Sequence, residues 1–179
     1  PDYAYLENSN YQNKLIEKIN PKTEILSGKD ELYNLLNDPL VDVVISAISG
    51  FSGLETTLMA AKTGKTILLA NKESIVVAGD IILPLAKEFN TNVIPIDSEH
   101  NAIFQCLVGE KAKEDVSKII ITASGGPFVN KSLDELGMVT KEQALKHPNW
   151  EMGSKISIDS ASLVNKCLEL IEAKYLFDL

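Results

Sequence analysis

Short apolar runs alternate with longer amphipathic segments from about residue 20 to residue 110, and this alternation constrains the fold more than any other feature. Runs such as Val43–Ile45 and Ile119–Ile121 are apolar throughout, which is typical of parallel strands that helices cover on both faces. The predicted strands are residues 22–27, 41–48, 66–70, 92–97 and 118–123, and the predicted helices are residues 30–37, 53–63, 74–89 and 99–108. The pattern predicts an α/β fold with a mainly parallel sheet.

The two ends of the chain and the stretch after residue 123 follow other patterns. Residues 1–20, rich in Tyr, Asn and Lys, are predicted to form one helix. Residues 124–153 are polar with only a weak helical patch near residues 134–145, and loops of that length are usually lids or binding segments. Residues 155–158 alternate like a strand, and a helix is predicted from Asp159 to about Phe177. On that helix we expect an apolar stripe to be buried, namely Val164, Cys167, Leu168, Ile171 and Tyr175.

Charge and cysteine usage exclude several classes of protein. The chain has 17 basic and 25 acidic side chains, and a net charge of −8 opposes non-specific attraction to nucleic acid or to an anionic membrane. No apolar run approaches the roughly 18 residues that span a bilayer. Cys106 and Cys167 lack metal-ligand spacing and are interpreted as buried thiols of a reduced, cytoplasmic protein. We therefore expect no nucleic-acid and no membrane partner.

Polar side chains follow three of the predicted strands, where open parallel sheets collect their ligands. The three strand ends read Asn71-Lys72-Glu73-Ser74, Asp97-Ser98-Glu99-His100 and Ser124-Gly125-Gly126. Asp97 and Glu99 could both face one point and offer hard oxygen ligands to Mg²⁺ or Mn²⁺, although helix capping explains the same pattern. The two glycines would let backbone amides approach an anion.

The last predicted helix carries a polar stripe, formed by Ser162, Asn165, Lys166, Glu169 and Glu172. A phosphate could be bound by the hydroxyl of Ser160, the amide of Asn165 and the ammonium of Lys166. Glu169 lies one turn further along the helix and could be a metal ligand. The competing interpretation is a solvated helix face. His147 and Trp150 in the polar segment could close over a ligand, or Trp150 could make an ordinary hydrophobic contact. No Gly-x-Gly-x-x-Gly fingerprint for a dinucleotide occurs.

Five blocks, taken in order, resemble the 1-deoxy-D-xylulose 5-phosphate reductoisomerase family. They are residues 69–74 (LANKES), 95–105 (PIDSEHNAIFQ), 123–128 (ASGGPF), 147–153 (HPNWEMG) and 158–166 (IDSASLVNK). The resemblance covers roughly residues 20–179. It implies the NADPH-dependent rearrangement and reduction of 1-deoxy-D-xylulose 5-phosphate to 2-C-methyl-D-erythritol 4-phosphate in the non-mevalonate isoprenoid pathway. It also implies Mg²⁺ or Mn²⁺, with Co²⁺ as a further candidate, and a cytoplasmic homodimer.

The resemblance implies a fold and a domain division as well. The expected fold is α/β, with the second half of a Rossmann-like NADPH-binding sheet followed by an α/β catalytic domain that carries a long lid loop. Residues 1–97 would form the partial NADPH-binding domain and residues 98–179 the catalytic domain, incomplete at its carboxyl end.

The resemblance also assigns roles to individual residues. Asp97, Glu99 and Glu169 would bind the metal, and together with Lys72 they form the implied catalytic set. The implied substrate contacts are Lys72, Ser98, Glu99, Ser124, His147, Ser160, Asn165, Lys166 and Glu169, of which Ser124, Ser160, Asn165 and Lys166 would hold the phosphate. Trp150 and Met152 would belong to the lid, and Asn71, Glu73 and Gly153 would lie near the nicotinamide cofactor.

The chain departs from the family pattern at both ends. The family's amino-terminal βαβ unit, with its Gly-x-x-Gly-x-x-Gly loop, and its carboxy-terminal helical domain have no counterpart, so we expect a fragment. One alternative hypothesis is that this fragment binds metal and sugar phosphate without catalysis. Another is a related dehydrogenase or lyase with a different substrate, which the blocks around Lys72 and Trp150 disfavour.

Overall fold

The computed structural model describes residues 1–107, 116–146 and 152–178 of the chain. Its strands are β1 (Tyr3–Leu6), β2 (Glu24–Ser27), β3 (Val43–Ser46), β4 (Thr66–Leu69) and β5 (Asn92–Pro95). Its α-helices are α1 (Gln12–Ile16), α2 (Lys29–Asn37), α3 (Leu54–Ala61), α4 (Lys72–Glu88), α5 (Ser98–Leu107), α6 (Leu133–Leu136), α7 (Lys141–Ala144), α8 (Ser154–Ala161) and α9 (Val164–Phe177). Short 3₁₀ turns cover Ser9–Tyr11 and Gly50–Gly53.

The strands form two parallel sheets, β1-β2 and β3-β4-β5. In the second sheet Val43 lies opposite Thr66, and Thr66 lies opposite Asn92, so that β4 is the central strand. Strands β2 to β5 fall inside the predicted ranges, and α2 to α5 begin and end within two residues of prediction. The predicted α/β fold is therefore confirmed, and the carboxyl ends of β4 and β5 meet at one sheet edge.

The main core lies between β4 and the helices α3 and α4. Ile67 and Leu69 point to the same face of β4 and are fully buried, together with Ile75 and Ile82 of α4. The expectation that helices cover both faces of every strand is wrong for β3, because Val43 and Ile45 are 47% and 64% exposed. One face of the sheet thus supplies most of the buried apolar area.

Helix α9 packs against α4 at a point of close approach. A Cβ atom on Gly79 would lie 2.8 Å from Cγ of Tyr175, which leaves room for no side chain larger than hydrogen. Helix α4 has a non-helical residue at Ala78, directly before this contact, and contains Pro84. This packing sets the distance between α9 and the sheet edge where α4 begins.

Three predicted elements near the ends of the chain differ from the structure. Residues 1–20 form β1, a 3₁₀ turn and α1 rather than one helix. Residues 155–158 belong to α8, since an alternation of only four residues is too short to distinguish a strand from a helix. The helix predicted from Asp159 is two helices, interrupted where Leu163 takes a left-handed conformation at φ 61°.

The predicted strand at residues 118–123 is also absent. The described part of the chain gives it no ladder partner, and Ile120 is 70% exposed. Apolar β-branched composition favours a strand only where a second strand completes the hydrogen bonds. The weak helical patch near residues 134–145 corresponds to α6 and α7, each with a capping box. No helix in the described ranges is long and apolar enough to cross a membrane.

The burial of α9 differs from the prediction at several positions. Its acidic side chains Glu169 and Glu172 are buried, whereas Val164 and Ile171 are 45% and 41% exposed. The apolar stripe was expected inside because apolar area normally drives helix packing. In this helix the carboxylates find cationic partners in the protein. The apolar stripe is divided, because Tyr175 packs against the core whereas Val164 and Ile171 do not. Both cysteines, expected to be buried, are exposed.

Candidate active site

A cavity of about 430 Å³ lies at the sheet edge where β3, β4 and β5 end and where α8 and α9 pack beside it. It collects most of the residues to which the sequence assigned a role. They are Asn71, Lys72, Glu73, Asp97, Ser98, Glu99, Ser124, Met152, Ser160, Asn165 and Glu169. Lys166 lines a smaller cavity that shares Glu99, Ser124, Ser160 and Asn165 with the first.

Three carboxylates converge on one point of this cavity. Asp97 follows β5, Glu99 lies in the first turn of α5 and Glu169 comes from α9, and one oxygen from each lies within 4.8 Å of the others. The backbone amide of Glu99 donates a hydrogen bond to Asp97 Oδ1 at 3.2 Å, which turns the second oxygen of Asp97 toward the cavity. Carboxylate oxygens at this spacing suit Mg²⁺ or Mn²⁺, so the donor set fits the implied metal.

Two lysines pair with these carboxylates. Lys72 is the first residue of α4, and its Nζ lies 2.7 Å from Asp97 Oδ2 and 2.9 Å from Glu169 Oε1. Lys166 Nζ lies 3.1 Å from Glu99 Oε1 and also contacts Glu169 and the carbonyl of Thr122. Every carboxylate of the group therefore has an ammonium partner.

The cap of α4 places Lys72 in this position. Asn71 Oδ1 accepts a hydrogen bond from the Ser74 amide at 2.7 Å, and its Nδ2 donates to the carbonyls of Ile48 and Gly50. Asn71 is almost fully buried. The side chain thus joins the end of β4 to the turn after β3 and fixes where α4 begins.

Charge pairing decides the protonation of the site. Burial alone would raise the pKa of Asp97, but hydrogen bonds from His100 and Lys72 hold that pKa well below its usual range. Burial would lower the pKa of Lys72, and hydrogen bonds with Asp97 and Glu169 raise it instead. At neutral pH an ionised Asp97 therefore lies beside a charged Lys72 ammonium.

Behind the carboxylates lies a buried pair that the sequence did not single out, His100 and Glu172. His100 Nε2 donates to the backbone carbonyl of Glu169 at 2.8 Å, and its Nδ1 lies 3.0 Å from Glu172 Oε2 and 3.5 Å from Asp97 Oδ1. Burial would lower the pKa of His100, but Asp97 and Glu172 raise it to about 10. Burial raises the pKa of Glu172. The sequence feature that could have identified this pair is spacing, because His100 lies three residues after Asp97 and Glu172 three residues after Glu169.

The smaller cavity, of about 40 Å³, has the features of an anion site. Gly125 and Gly126 have φ values of 85° and 66°, a conformation that favours glycine. A Cβ on Gly126 would lie 3.0 Å from the carbonyl oxygen of Ser160, so the loop approaches α8 closely. Lys166 and the side chain of Asn165 complete the wall, which also includes Glu99, the partner of Lys166.

Of the remaining residues that the resemblance implies, some line the large cavity and others do not. Glu73 lines the large cavity and pairs with Lys155 at 2.6 Å. Met152 also lines it, whereas Gly153 is exposed, precedes α8 and is not among the lining residues. His147 and Trp150 lie outside the described residues, so their implied roles in substrate binding and in the lid stay predictions.

Two family models match the chain in succession. The model for 1-deoxy-D-xylulose 5-phosphate reductoisomerase matches residues 1–79, and the model for the C-terminal domain of the same enzyme matches residues 93–177. Both halves of the chain therefore point to a single family.

Individual relatives agree with the family models. The 1-deoxy-D-xylulose 5-phosphate reductoisomerase of Clostridium tetani is 55% identical over 162 residues, which is 90% of this chain and 42% of that protein. A crystal structure of DOX-P reductoisomerase in complex with NADPH, fosmidomycin and magnesium superposes with a TM-score of 0.87 at 44% identity, covering 100% of this chain and 47% of the other. The structure of the enzyme from Zymomonas mobilis in complex with NADPH superposes with a TM-score of 0.85 at 44% identity, covering 99% of this chain and 45% of the other.

The chain spans less than half the length of each of these relatives. Within that span the family models account for nearly every residue, and the identity is far above the level at which only a fold is shared. The chain belongs to the 1-deoxy-D-xylulose 5-phosphate reductoisomerase family.

Proposed function

We propose that this chain forms the metal and substrate site of a 1-deoxy-D-xylulose 5-phosphate reductoisomerase, which converts that substrate to 2-C-methyl-D-erythritol 4-phosphate with NADPH. The observation that carries the proposal is the convergence of Asp97, Glu99 and Glu169 within 4.8 Å, next to a lysine- and glycine-lined anion cavity. The names of the relatives support catalysis over binding alone.

The anion cavity would hold the phosphate of the substrate. Lys166 and Asn165 line this space together with Ser124 and Ser160, and the Lys166 ammonium also pairs with Glu99 at 3.1 Å. Because this cavity shares residues with the larger one, a phosphate bound there would place the sugar carbons beside the three carboxylates. Ser98, which donates to Glu99 Oε2 at 2.5 Å, lies on the same wall and is proposed to contact the sugar.

The proposed chemistry divides between bound groups and this chain. When bound to Asp97, Glu99 and Glu169, Mg²⁺ or Mn²⁺ would polarise the substrate oxygens, and NADPH would supply the reducing equivalents. Lys72 stays charged at neutral pH, because its carboxylate partners raise its pKa, and its side chain is only 12% exposed. Its ammonium can therefore stabilise negative charge that develops on a substrate oxygen during the reaction.

The cofactor would approach from the ends of β3 and β4. Asn71 and Glu73 line that side of the cavity, and with Gly153 they are proposed to lie near the nicotinamide. The proposed domain division places residues 1–97 in the NADPH-binding part and residues 98–179 in the catalytic part. Trp150 and Met152 are proposed as lid residues and His147 as a substrate contact. Two free cysteines support a cytoplasmic protein.

A calorimetric Mn²⁺ titration of the full chain, with and without fosmidomycin, tests the site directly. Saturable binding that fosmidomycin tightens would show that both the metal and the phosphonate are recognised within these residues. NADPH oxidation followed at 340 nm with 1-deoxy-D-xylulose 5-phosphate then separates an enzyme from a protein that only binds. A folded chain without Mn²⁺ binding would contradict the proposal.

Replacement of Lys166 by methionine separates the anion site from the metal site. We expect phosphonate affinity measured in the presence of Mn²⁺ to fall about tenfold, because one charge-assisted contact to the anion is lost. Mn²⁺ affinity should not fall, since Lys166 supplies no metal ligand and its removal takes a competing cation away from Glu99 and Glu169. The matched control is Lys174→Met, which removes an exposed charge from the same helix. Equal phosphonate affinity in both variants would remove Lys166 from the anion site.

We also propose a homodimer. Exposed apolar side chains at the start and in the middle of α9 support it, namely Leu163, Val164, Leu170 and Ile171. Sedimentation velocity at micromolar concentration is expected to give twice the mass of 19.6 kDa. A monomeric mass would contradict the proposal.

A further inference from the structure

We propose that His100 and Glu172 are positioning residues that hold two metal-binding carboxylates, Asp97 and Glu169, in the geometry that a divalent cation requires. The inference rests on the proposed metal site. It adds two side chains that do not themselves reach the cavity, since neither is among its lining residues.

The first contact of the pair is an electrostatic one with Asp97. His100 Nδ1 lies 3.5 Å from Asp97 Oδ1, the same oxygen that accepts the Glu99 amide. The other oxygen, Oδ2, is left to face the cavity, where it meets Lys72 at 2.7 Å. One oxygen of the carboxylate is thus anchored behind the site and the other is presented to it.

The second contact fixes the backbone of α9 at Glu169. His100 Nε2 donates to the Glu169 carbonyl at 2.8 Å, although that carbonyl lies inside a helix. The imidazole therefore bridges α5 and α9, the two helices that carry Glu99 and Glu169. A shift of either helix would change the distance between the ligand oxygens.

Glu172 completes the arrangement by orienting the imidazole. Its Oε2 lies 3.0 Å from His100 Nδ1, and both side chains are fully buried. Neither Glu172 oxygen makes a hydrogen bond of good geometry within the described residues. A buried acidic side chain with one ionic partner contributes little stability compared with apolar residues of similar volume. Second-layer carboxylate–histidine pairs orient metal ligands and raise metal affinity, which accounts for its presence here.

The test is Mn²⁺ affinity in variants that leave every ligand atom in place. Glu172→Gln and the double variant His100→Gln/Glu172→Gln keep side-chain volume, and the double variant leaves no unpaired buried charge. For each chain, calorimetry gives the Mn²⁺ dissociation constant, the electron paramagnetic resonance spectrum reports the symmetry of bound Mn²⁺, and urea unfolding gives stability. Glu88→Gln, an exposed site at the end of α4, controls for the loss of one negative charge.

We expect the pair variants to bind Mn²⁺ about tenfold more weakly or worse, with an altered resonance spectrum, while Glu88→Gln matches the parent chain. A purely structural role would lower the urea midpoint and leave the affinity of the folded protein unchanged. Affinities within about twofold of the parent in folded variants would overturn the inference and leave the proposed metal site standing. Absence of Mn²⁺ binding in the folded parent chain would overturn both.

Discussion

Replacing Glu169 by glutamine is expected to weaken Mn²⁺ binding by about 100-fold or more. Two unit charges 4 Å apart interact by about 4 kcal/mol at the effective dielectric constant of a partly buried site, and a 100-fold loss corresponds to about 2.7 kcal/mol. The side chain is only 1% exposed, so solvent does little to screen the lost charge. Glutamine keeps the shape of the side chain and can still accept a hydrogen bond from Lys72.

Calorimetry on the folded variant provides the measurement, and Glu88→Gln again provides the charge control. Asp97→Asn should behave in the same way, because it removes a second of the three carboxylates that lie within 4.8 Å of one another. If Glu169→Gln binds Mn²⁺ like the control, then Glu169 is not a ligand and the proposed metal site is wrong.

Replacing Asn71 by alanine is expected to lower the free energy of unfolding by about 3 kcal/mol. The variant loses the helix cap made to Ser74, worth about 1 kcal/mol, and leaves the carbonyls of Ile48 and Gly50 without their donor at a further cost of about 1 kcal/mol each. Because Lys72 follows directly, we expect a weaker phosphonate complex as well.

Urea unfolding measures this loss, and two variants bracket it. Asn71→Ser keeps a neutral acceptor for the Ser74 amide but cannot replace the donor to the two carbonyls, so its stability should fall between those of the parent and alanine variants. Asn37→Ala removes an exposed hydrogen bond to the Tyr33 carbonyl and should cost well under 1 kcal/mol. An Asn71→Ala variant no less stable than Asn37→Ala would show that the cap does not hold α4 in place.

The part of the site that follows β4 and β5 could be predicted from sequence by one geometric rule. Adjacent parallel strands end at the same edge, so residues just after each strand, Lys72 and Asp97, must come close together. The structure places their charged atoms 2.7 Å apart. That Glu169 lies near this site was suggested by its position one helical turn after Asn165 and Lys166. Without those two residues, Glu169 would have been interpreted as part of a solvated helix face.

The other features of the fold and the site depend on tertiary contacts, which the periodicity of the sequence does not reveal. Helix α9 was expected to bury its apolar stripe, but the partners of Glu169 and Glu172 lie on α4 and α5, far away in sequence. His100 was visible only as part of a block of polar residues. Residues 118–123 have strand composition, yet a strand also requires a neighbour, which no local pattern reveals.

The separation of Asp97 and Glu169 along the chain has a consequence for biogenesis. Neither the segment at the end of β5 nor helix α9 alone contains three carboxylates that could surround an ion. A ribosome-bound or partly unfolded chain therefore offers a cation only weak, scattered ligands, and tight metal uptake at the proposed site would await the docking of α9 against α4. By thermodynamic linkage, an ion bound there would stabilise the docked state, so metal supply and maturation of the protein would be coupled.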